Sequence, residues 1–328
     1  MRYILGVDVG GTNIVVGTVA EDGSAVHGVR TDVTGAELGA DAVVDRIARL
    51  CGASLAEAGR EAGVLREQVL GVGVGAPGPL ERRAGVVLIA PNLGWRDYPL
   101  RQKVTDALGL PAAIDNDANC AVYGEWWIGA GRGSRYLVGL TIGTGIGGGI
   151  VIDGKLYHGA SDVAGEVGHT TIDSTGRRCK CGNYGCLEAY ASGPNIAARA
   201  IEGVEAGAAT SLASYVGGDL ARVTAQTVYQ AATDGDEFAL EVVKDTAKFL
   251  GTGVANLLNI FNPDTVVILG GVTQAGDALF VPLRAEVNRR AFKSAVKACR
   301  IVPGELPGTA GVVGAAAAFR DTLGERGS

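Results

Sequence analysis

Apolar residues along the chain form short runs typical of buried strands and longer stretches with helical spacing. Strand-like runs at 3–9 and 69–74 lie beside glycines. Between them, the stretch 40–58 repeats apolar residues at helical spacing, as at Val43 and Ile47. Strand, helix and strand in succession predict an α/β lobe.

A second set of elements follows in the other half of the chain. The uncharged stretch 136–152 contains six glycines, too many for a membrane helix, and is predicted to form a β-hairpin. Helical spacing at 224–234 and 238–260 precedes an apolar strand at 265–269, and an alanine-rich helix is predicted at 311–323. We therefore expect a second α/β lobe.

Two glycine-rich hairpins share one pattern of apolar, polar and glycine positions. Residues 138–145 can be aligned with residues 5–12. A fold of two similar halves would place both hairpins at a cleft where ligands bind, although chance similarity of two hairpins is an alternative. We predict a smaller N-terminal lobe from residues 1–117 plus about 304–328, and a larger C-terminal lobe from residues 118–303.

Composition and charge exclude several classes of protein. The 328 residues, 47% of them hydrophobic, suffice for two lobes with buried cores. The net charge is −6 and the basic residues are scattered, which argues against a nucleic-acid partner. The N-terminal segment lacks the features of a signal peptide, so we expect a cytoplasmic protein with no membrane partner.

The most specific signal is a histidine followed by a cysteine cluster. His169 precedes Cys179, Cys181 and Cys186, which form the pattern Cys-x-Cys-Gly-x-x-Gly-Cys. One nitrogen and three thiolates are a tetrahedral zinc set, and four protein ligands leave no open position for a substrate water. We predict a structural Zn²⁺ in a loop over 169–188; unliganded or disulfide-linked cysteines are the alternative.

Two glutamates bracket this loop. Glu166 lies three residues before the histidine, and Glu188 lies two residues after the last cysteine. Carboxylates held in a cleft accept hydrogen bonds from vicinal sugar hydroxyls. Both are candidate substrate contacts, whereas either one alone could be a solvated surface residue.

The first hairpin carries a candidate phosphate site. Asp8 ends the first strand and is placed to hold Mg²⁺ or its waters. The turn that follows lets backbone N–H groups approach phosphates, and its residues are Gly10, Gly11, Thr12 and Asn13. An ordinary hairpin turn is the alternative. The chain has no P-loop motif.

The second half offers matching nucleotide contacts. Thr144 and Gly145, at the bend of the second hairpin, supply a hydroxyl and free N–H groups. Gly193, near a predicted helix start, and Gly271, after a predicted strand, are candidate places for adenosine to lie against bare backbone. Glycines at element boundaries commonly serve no ligand, which is the alternative for these two.

A candidate general base follows the apolar run 112–114. Phosphoryl transfer needs alignment, neutralisation of charge and a group that takes the hydroxyl proton. Asp117 can accept that proton, and Asn116 can orient a neighbouring hydroxyl. A turn or helix cap is the alternative for such an Asn-Asp pair.

Together these motifs resemble the ROK family of repressors and sugar kinases, and within it they look like the bacterial ATP-dependent glucokinases. The resemblance covers nearly the whole chain. The matching segments are residues 8–13, 116–119, 141–149, 165–169, 179–188 and 270–271.

The resemblance implies an actin-like ATPase (ribonuclease H-like) fold, with two α/β lobes around a central cleft that binds Mg²⁺ and ATP. It implies transfer of phosphate to the 6-hydroxyl of a hexose, with glucose as the first choice. Asp117 would be the base, and Asn116, Glu166, His169 and Glu188 would hold the sugar.

The loops at 75–79 and 91–95 also look like sugar-lobe loops of these kinases, which adds Gly78 and Asn92 as substrate contacts. The resemblance further implies a homodimer or homotetramer. Another hexose (N-acetylmannosamine, mannose, fructose or allose) and a non-catalytic sugar sensor are the alternatives. Repressors of the family carry an N-terminal helix-turn-helix, and this chain begins at the kinase strand, so a repressor is disfavoured.

Overall fold

The computed structural model describes residues 1–325; residues 326–328, at the end of the predicted N-terminal lobe, lie outside the described part. The strands are β1 (Tyr3–Val9), β2 (Asn13–Ala20), β3 (Val26–Val33), β4 (Val69–Ala76), β5 (Leu80–Glu81), β6 (Val86–Ala90), β7 (Trp95–Tyr98), β8 (Ala112–Asn116), β9 (Tyr136–Ile142), β10 (Ile146–Ile152), β11 (Lys155–Leu156), β12 (Thr265–Leu269) and β13 (Arg300–Pro303). The α-helices are α1 (Ala40–Ala62), α2 (Leu100–Leu108), α3 (Asp117–Ile128), α4 (Glu188–Ala191), α5 (Gly193–Glu205), α6 (Leu212–Tyr215), α7 (Ala225–Thr233), α8 (Glu237–Phe261), α9 (Asp277–Arg290), α10 (Lys293–Ala298) and α11 (Ala310–Glu325).

The first compact unit comprises residues 1–134, 149–165 and the segment from 305 onward. Its five-stranded sheet has the order β3-β2-β1-β4-β8, with β1, β4 and β8 parallel to one another. Helices α1 and α2 contribute to one hydrophobic core on this sheet, whereas α11 contributes Val312, Ala316 and Phe319 to another. Sheet and helices thus bury apolar surface in two cores.

Glycines in the strands allow α11 to lie directly on the sheet. A β-carbon on Gly6 would lie 2.0 Å from the carbonyl oxygen of Val312, and one on Gly73 would lie 1.7 Å from that of Ala315. Only glycine permits this approach of backbone to backbone. The consequence for the site is that the start of α11 is fixed close to the ends of the strands.

The second compact unit comprises residues 135–148 and 166–304. In the second five-stranded sheet, of order β11-β10-β9-β12-β13, strand β12 pairs in parallel with both β9 and β13. Strand β12 is entirely buried, as expected of a central parallel strand rich in valine and isoleucine. The long helix α8 packs against α7 and α9 and contributes twelve buried residues.

Most sequence-based elements are confirmed within a residue or two of their predicted ends. The strands at 3–9 and 265–269 have the predicted bounds, and the glycine-rich stretch 136–152 forms β9 and β10. Among residues 1–325, no helix has both the length and the apolar character needed to cross a membrane. Strands β3, β5 and β7 were not predicted, because they are short or alternate with polar side chains, and the apolar strand β6 was not predicted either.

The domain boundary predicted after residue 117 differs from the division into compact units. Helix α3 starts at that residue and packs against α11, so the first unit continues to residue 134. Residues 149–165 also belong to the first unit. Such packing joins segments that are far apart along the chain, and hydrophobic periodicity does not report it.

Candidate active site

The carboxyl ends of β1, β4 and β8 meet at one edge of the first sheet, because these neighbours are parallel. Asp8 pairs with Gly75 in register, and Asn116 pairs with Ala76 one residue further on. Burial and, second, the negative charge of Asp117 raise the pKa of Asp8 to about 7. Two carboxyl groups therefore share this edge closely enough to repel each other. This arrangement suits a divalent cation, whose ligands are carboxylates and water.

The start of α11 adjoins Asp8. A β-carbon on Gly311 would lie 2.2 Å from Oδ2 of Asp8, so only a glycine leaves room for this carboxyl group. Gly311 is therefore a site residue that sequence reasoning missed. In the sequence, Gly311 is only a glycine in an alanine-rich helix. That pattern does not show that this glycine lies beside Asp8.

The predicted phosphate turn between β1 and β2 is a tight hairpin bend. The N–H of Gly10 donates to the carbonyl oxygen of Asn13 at 2.9 Å, and the residues at the tip, Gly11 and Thr12, are exposed. Thr34, which is buried, donates its hydroxyl to the Gly10 carbonyl and its N–H to the Thr12 carbonyl, both at 2.7 Å. Thr34 was also missed, because it follows the unpredicted strand β3.

Asn116 and Asp117 lie where β8 passes into α3. The side-chain oxygen of Asn116 caps α3 by accepting the N–H groups of Ala118 at 2.9 Å and Asn119 at 3.1 Å. Oδ1 of Asp117 also accepts the Ala118 N–H, at 2.9 Å. The helix cap that the sequence left open as an alternative is thus present. It fixes both side chains at the helix start, and both remain partly exposed.

Asp115, the residue before this pair, is the buried centre of a charged network that the sequence did not reveal. Its Oδ2 lies 2.8 Å from Nε2 of His158 and 2.9 Å from Nε of Arg82. Its Oδ1 accepts the N–H of Asn116 at 2.8 Å and the side-chain amide of Asn119 at 3.3 Å. The network ties the loops that contain residues 82 and 158 to the end of β8.

The electrostatics of Asp115 follow from this network. Its burial acts to raise its pKa, but the hydrogen bond and charge of His158 and the charge of Arg82 outweigh burial and hold the pKa below its ordinary value. Asp115 is therefore an anion at neutral pH, although its side chain is only 1% exposed.

The two weaker sugar candidates lie in loops of the same unit. Gly78 has φ of 88°, and a β-carbon there would lie 2.1 Å from the carbonyl oxygen of Ile89. Asn92 is exposed, and its Cβ is 3.6 Å from the position of a β-carbon on Gly11. Asn92 is thus close to the glycine turn. Gly78 is explained without a ligand, because its positive φ and the nearby Ile89 carbonyl require a glycine there.

The histidine and cysteine side chains of the second unit form one cluster. The ligand atoms of His169, Cys179, Cys181 and Cys186 all lie within 4.8 Å of one another. Nδ1 of His169 is 3.8 Å from the sulfur of Cys179, and the sulfurs of Cys181 and Cys186 are 3.7 Å apart. Two sulfurs on one tetrahedral zinc are about 3.8 Å apart for a Zn–S bond of about 2.3 Å, so the set fits this ion.

The loop itself has little regular structure. A short 3-10 helix over Val167–His169 leads into it. Two isolated β-bridges, one between Thr171 and Cys186 and one between Arg178 and Tyr184, join segments of the loop. A β-carbon on Gly185 would lie 1.6 Å from the carbonyl oxygen of Asp173, which explains one of the two glycines of the motif. Burial and the neighbouring thiols raise the pKa of Cys186 to about 12, so a cation is needed to hold all three sulfurs as thiolates.

The two glutamates beside the loop differ in their environment. Oε2 of Glu188 accepts the N–H of Ile146 at 2.9 Å, and its Oε1 lies 3.8 Å from the sulfur of Cys179. A β-carbon on Gly145 would lie 2.7 Å from Oε2 of Glu188. Glu188 therefore joins the histidine and cysteine cluster to the bend of the second hairpin. Glu166 is exposed at the start of the 3-10 helix.

A cavity of about 310 Å³ in the second unit contains both predicted adenosine contacts. Gly193 and Gly271 line it together with Gly143, whose carbonyl accepts the Gly193 N–H at 2.9 Å. The other lining residues are uncharged: Ile142, Ala225, Gln226, Tyr229, Gln230, Thr233, Val272 and Gln274. Thr144 and Gly145, the predicted phosphate contacts, follow Gly143 directly. Helix α7, which supplies five of these residues, had been predicted as a helix but not as part of a site.

Comparison with known proteins identifies the family. The ROK family model matches residues 4–322. The chain belongs to the ROK family. A glucokinase from Halalkalibacterium halodurans is 39% identical over 95% of this chain and 93% of its own length. A putative xylose repressor from a Caldicellulosiruptor species is 40% identical, over 80% of this chain and 65% of the repressor.

Among solved structures, the ROK family glucokinase from Streptomyces griseus, in complex with glucose and AMPPNP, has a TM-score of 0.81 and 35% identity. The match covers 96% of this chain and 98% of that one. The actin-like ATPase fold expected from the sequence is therefore confirmed for this ROK protein. Because sequence identity is similar for a kinase and a repressor, the chemistry of the site residues carries the functional conclusion.

Proposed function

We propose that this ROK protein is an ATP-dependent hexose kinase that phosphorylates glucose at its 6-hydroxyl. The observation that carries the proposal is the acidic edge of the first sheet: Asp8 pairs with Gly75, and the Cα of Asp117 lies 3.5 Å from the position of a β-carbon on Gly75. A general base beside a cation site is what phosphoryl transfer to a hydroxyl requires. The full-length similarity to glucokinases supports glucose as the substrate.

Asp117 is the general base of this proposal. It takes the proton of the attacking hydroxyl, for which its partly exposed side chain at the start of α3 is suited. Asn116 cannot use its side-chain oxygen for the sugar, because that oxygen accepts two backbone N–H groups. Its amide nitrogen is therefore the group that donates to a sugar hydroxyl.

The remaining sugar contacts are Glu166, His169 and Glu188, with Gly78 and Asn92 as weaker ones. Nδ1 of His169 lies on the cysteine side, which leaves Nε2 as the nitrogen for a sugar hydroxyl. The zinc set would hold this tautomer, since a ligand nitrogen carries no proton. We propose Zn²⁺ as a structural ion here, with Cys179, Cys181 and Cys186 as the other ligands.

For ATP, we propose that adenosine occupies the cavity beside Gly193 and Gly271. We propose the turn of Gly10 to Asn13 as a phosphate contact, and Thr144 and Gly145 as further phosphate contacts. Asp8 would hold Mg²⁺, which neutralises phosphate charge when bound. The uncharged lining of the adenosine cavity supports this division, because charged groups are needed only at the phosphates. A cytoplasmic homodimer or homotetramer stays a prediction.

The test is an ADP-release assay with Mg²⁺ and ATP against glucose, mannose, fructose, allose, N-acetylmannosamine and N-acetylglucosamine. We expect the highest turnover with glucose, and a loss of roughly 10²- to 10⁴-fold in kcat for Asp117→Asn. Asp106→Asn, on the exposed face of α2, is the matched control and should keep full activity.

Three outcomes would change the conclusion. Turnover retained by Asp117→Asn would remove Asp117 as the base. Preference for an N-acetyl sugar would keep the kinase and change its substrate. Glucose binding by calorimetry without turnover on any sugar would favour the sugar sensor.

A further inference from the structure

A second cavity, of about 610 Å³, lies in the first unit beside β8, the edge strand of its sheet. Its volume falls in the range of small-molecule sites. One side is formed by Pro111, Ala112, Ala113, Ile114 and Ala318, which are small or apolar. The polar groups are the hydroxyls of Thr105 and Thr322 and three arginine side chains, Arg82, Arg83 and Arg101.

The lining of this cavity carries three positive charges, of which the one on Arg82 is paired with Asp115. None of the residues that line it is acidic. Within residues 1–325, Arg83 and Arg101 have no carboxylate within ion-pair distance, unlike Arg2, Arg30 and Arg49. Guanidinium groups that converge on one space repel each other unless an anion joins them.

Arg101 is held in place by backbone. Its two terminal nitrogens donate to the carbonyl oxygens of Arg83 and Ala84, each at 3.0 Å. A β-carbon on Gly85 would lie 2.6 Å from Arg101 Nε, so a glycine is required where the guanidinium crosses the turn. Each terminal nitrogen keeps a second hydrogen for a ligand. The group is therefore pre-organised, and little side-chain entropy is lost when an anion binds.

Arg82 connects the cavity to the end of β8. Its Nε lies 2.9 Å from Oδ2 of Asp115, and each of its two terminal nitrogens carries two further N–H donors. Oδ1 of the same Asp115 accepts the N–H of Asn116 at 2.8 Å. An anion that binds Arg82 would weaken the attraction between Arg82 and Asp115. Because Asp115 also accepts the N–H of Asn116, a shift of the Asp115 carboxylate would change the position of the residues that precede α3.

We propose that this cavity binds a small phosphate-bearing molecule through Arg82, Arg83 and Arg101, and that its occupancy acts on the end of β8 through Asp115. Phosphate oxygens accept pairs of parallel hydrogen bonds from guanidinium groups. Several arginines that line one cavity can supply such pairs to one phosphate. The binding site goes beyond the kinase function proposed above. Only the effect on sugar turnover rests on that function.

The binding test uses calorimetry on the full-length protein saturated with glucose and AMPPNP, so that the candidate active site is filled. The probes are inorganic phosphate and glycerol 3-phosphate, titrated at constant ionic strength. We expect both to bind, with Arg83→Gln and Arg101→Gln each weakening the affinity about tenfold, because each variant removes hydrogen bonds from a charged donor to the phosphate. Arg132→Gln, at an exposed arginine of the same unit that does not line the cavity, should leave the affinity unchanged.

A comparison of two variants separates binding from folding. Arg83 is exposed, and within residues 1–325 its side chain makes no hydrogen bond, so Arg83→Gln should keep the melting temperature. Arg101→Lys keeps the positive charge and should bind phosphate more tightly than Arg101→Gln. Tighter binding of glycerol 3-phosphate than of phosphate would identify a phosphate ester as the ligand, and the reverse would identify free phosphate.

The proposal is wrong if neither probe binds, or if Arg83→Gln and Arg101→Gln bind both probes as tightly as the wild type. Because binding is measured without turnover, this result is independent of whether the protein proves to be a kinase. If it is a kinase, a saturating probe should shift the KM for glucose in the wild type but not in Arg83→Gln. An equal shift in both would show that the probe acts elsewhere.

Discussion

The strand end around Asp115 and the cysteine loop over 169–188 both place candidate sugar contacts, but different forces hold them. At the strand end, a parallel sheet, a helix cap and buried ion pairs fix the side chains. In the loop, backbone hydrogen bonds such as those from Ile172 to Gly185 and from Cys179 to Asn183 form turns and isolated bridges rather than a sheet, and four ligand atoms lie within 4.8 Å of one another. The strand end should therefore keep its structure without any ion, whereas the loop should not.

Metal removal should give the largest effect. Cys181 is exposed, so Cys181→Ser removes a ligand with little loss of packing. We expect bound zinc to fall from one per chain to well below that, with a loss of more than about 4 kcal/mol in stability of the loop. Metal analysis and limited proteolysis within 169–188 provide the measurements.

Cys299→Ser is the control for this variant, because Cys299 is half-buried outside the cluster. It should keep both the zinc and the resistance of the loop to protease. A zinc-free Cys181→Ser protein whose loop remains protected would show that the loop is held without a metal.

Asp115→Asn should give the next largest effect, confined to the strand end. The change leaves the positive charge of Arg82, whose side chain is 30% exposed, beside a neutral amide and weakens the bond to His158. Breaking a buried ion pair from one side costs about 3–5 kcal/mol, and the partial exposure of Arg82 places the expected loss at the lower end. Urea unfolding measures this loss, and zinc content should stay at the wild-type value.

Asp32→Asn removes a carboxylate that pairs with Arg49 at the surface, and it should change the free energy of unfolding little. Equal destabilisation by both variants would mean that the Asp115 network contributes no more than a surface pair.

The pH dependence of stability should carry the signature of Asp115. Its folded pKa lies below the ordinary value, so the unfolded chain binds a proton at a higher pH than the folded chain does. Its contribution to stability is complete above the ordinary pKa of about 3.9 and is lost as the pH falls through the folded pKa. Urea midpoints measured from pH 7 to pH 3 should therefore fall more steeply below pH 4 in the wild type than in Asp115→Asn. Parallel curves would contradict this assignment.

The smallest expected effect concerns the neighbour of Asp8. Gly311→Ala would put a β-carbon 2.2 Å from Oδ2 of Asp8 and displace the carboxyl group. We expect about a tenfold loss of kcat with a raised Mg²⁺ requirement, and little change in the KM for sugar. Gly324→Ala in the same helix, where a β-carbon meets nothing within 4 Å, should keep wild-type kinetics. Equal kinetics for the two variants would separate Asp8 from catalysis.

The sequence predicted the cysteine loop more completely than the strand end. Its four candidate ligands lie within 18 residues and have chemically distinctive side chains, so that a local pattern sufficed. At the strand end, Asn116 and Asp117 were predicted from a local pattern too. Their partners were not, because Arg82 and His158 are separated from Asp115 by more than thirty residues on either side.

The sequence by itself determined the strands and helices with clear periodicity, the glycine turns and the composition of the cysteine cluster, because each depends on residues close together along the chain. The tertiary structure alone decided which side chains share the carboxyl edge of the first sheet, why Gly311 must be glycine beside Asp8, and how three arginines from one loop and helix α2 line one cavity. The physical reason is that strand order and helix packing bring together residues that are far apart along the chain. Burial of apolar surface drives this packing, and the pattern of apolar residues in the sequence does not show which segments will pack against each other.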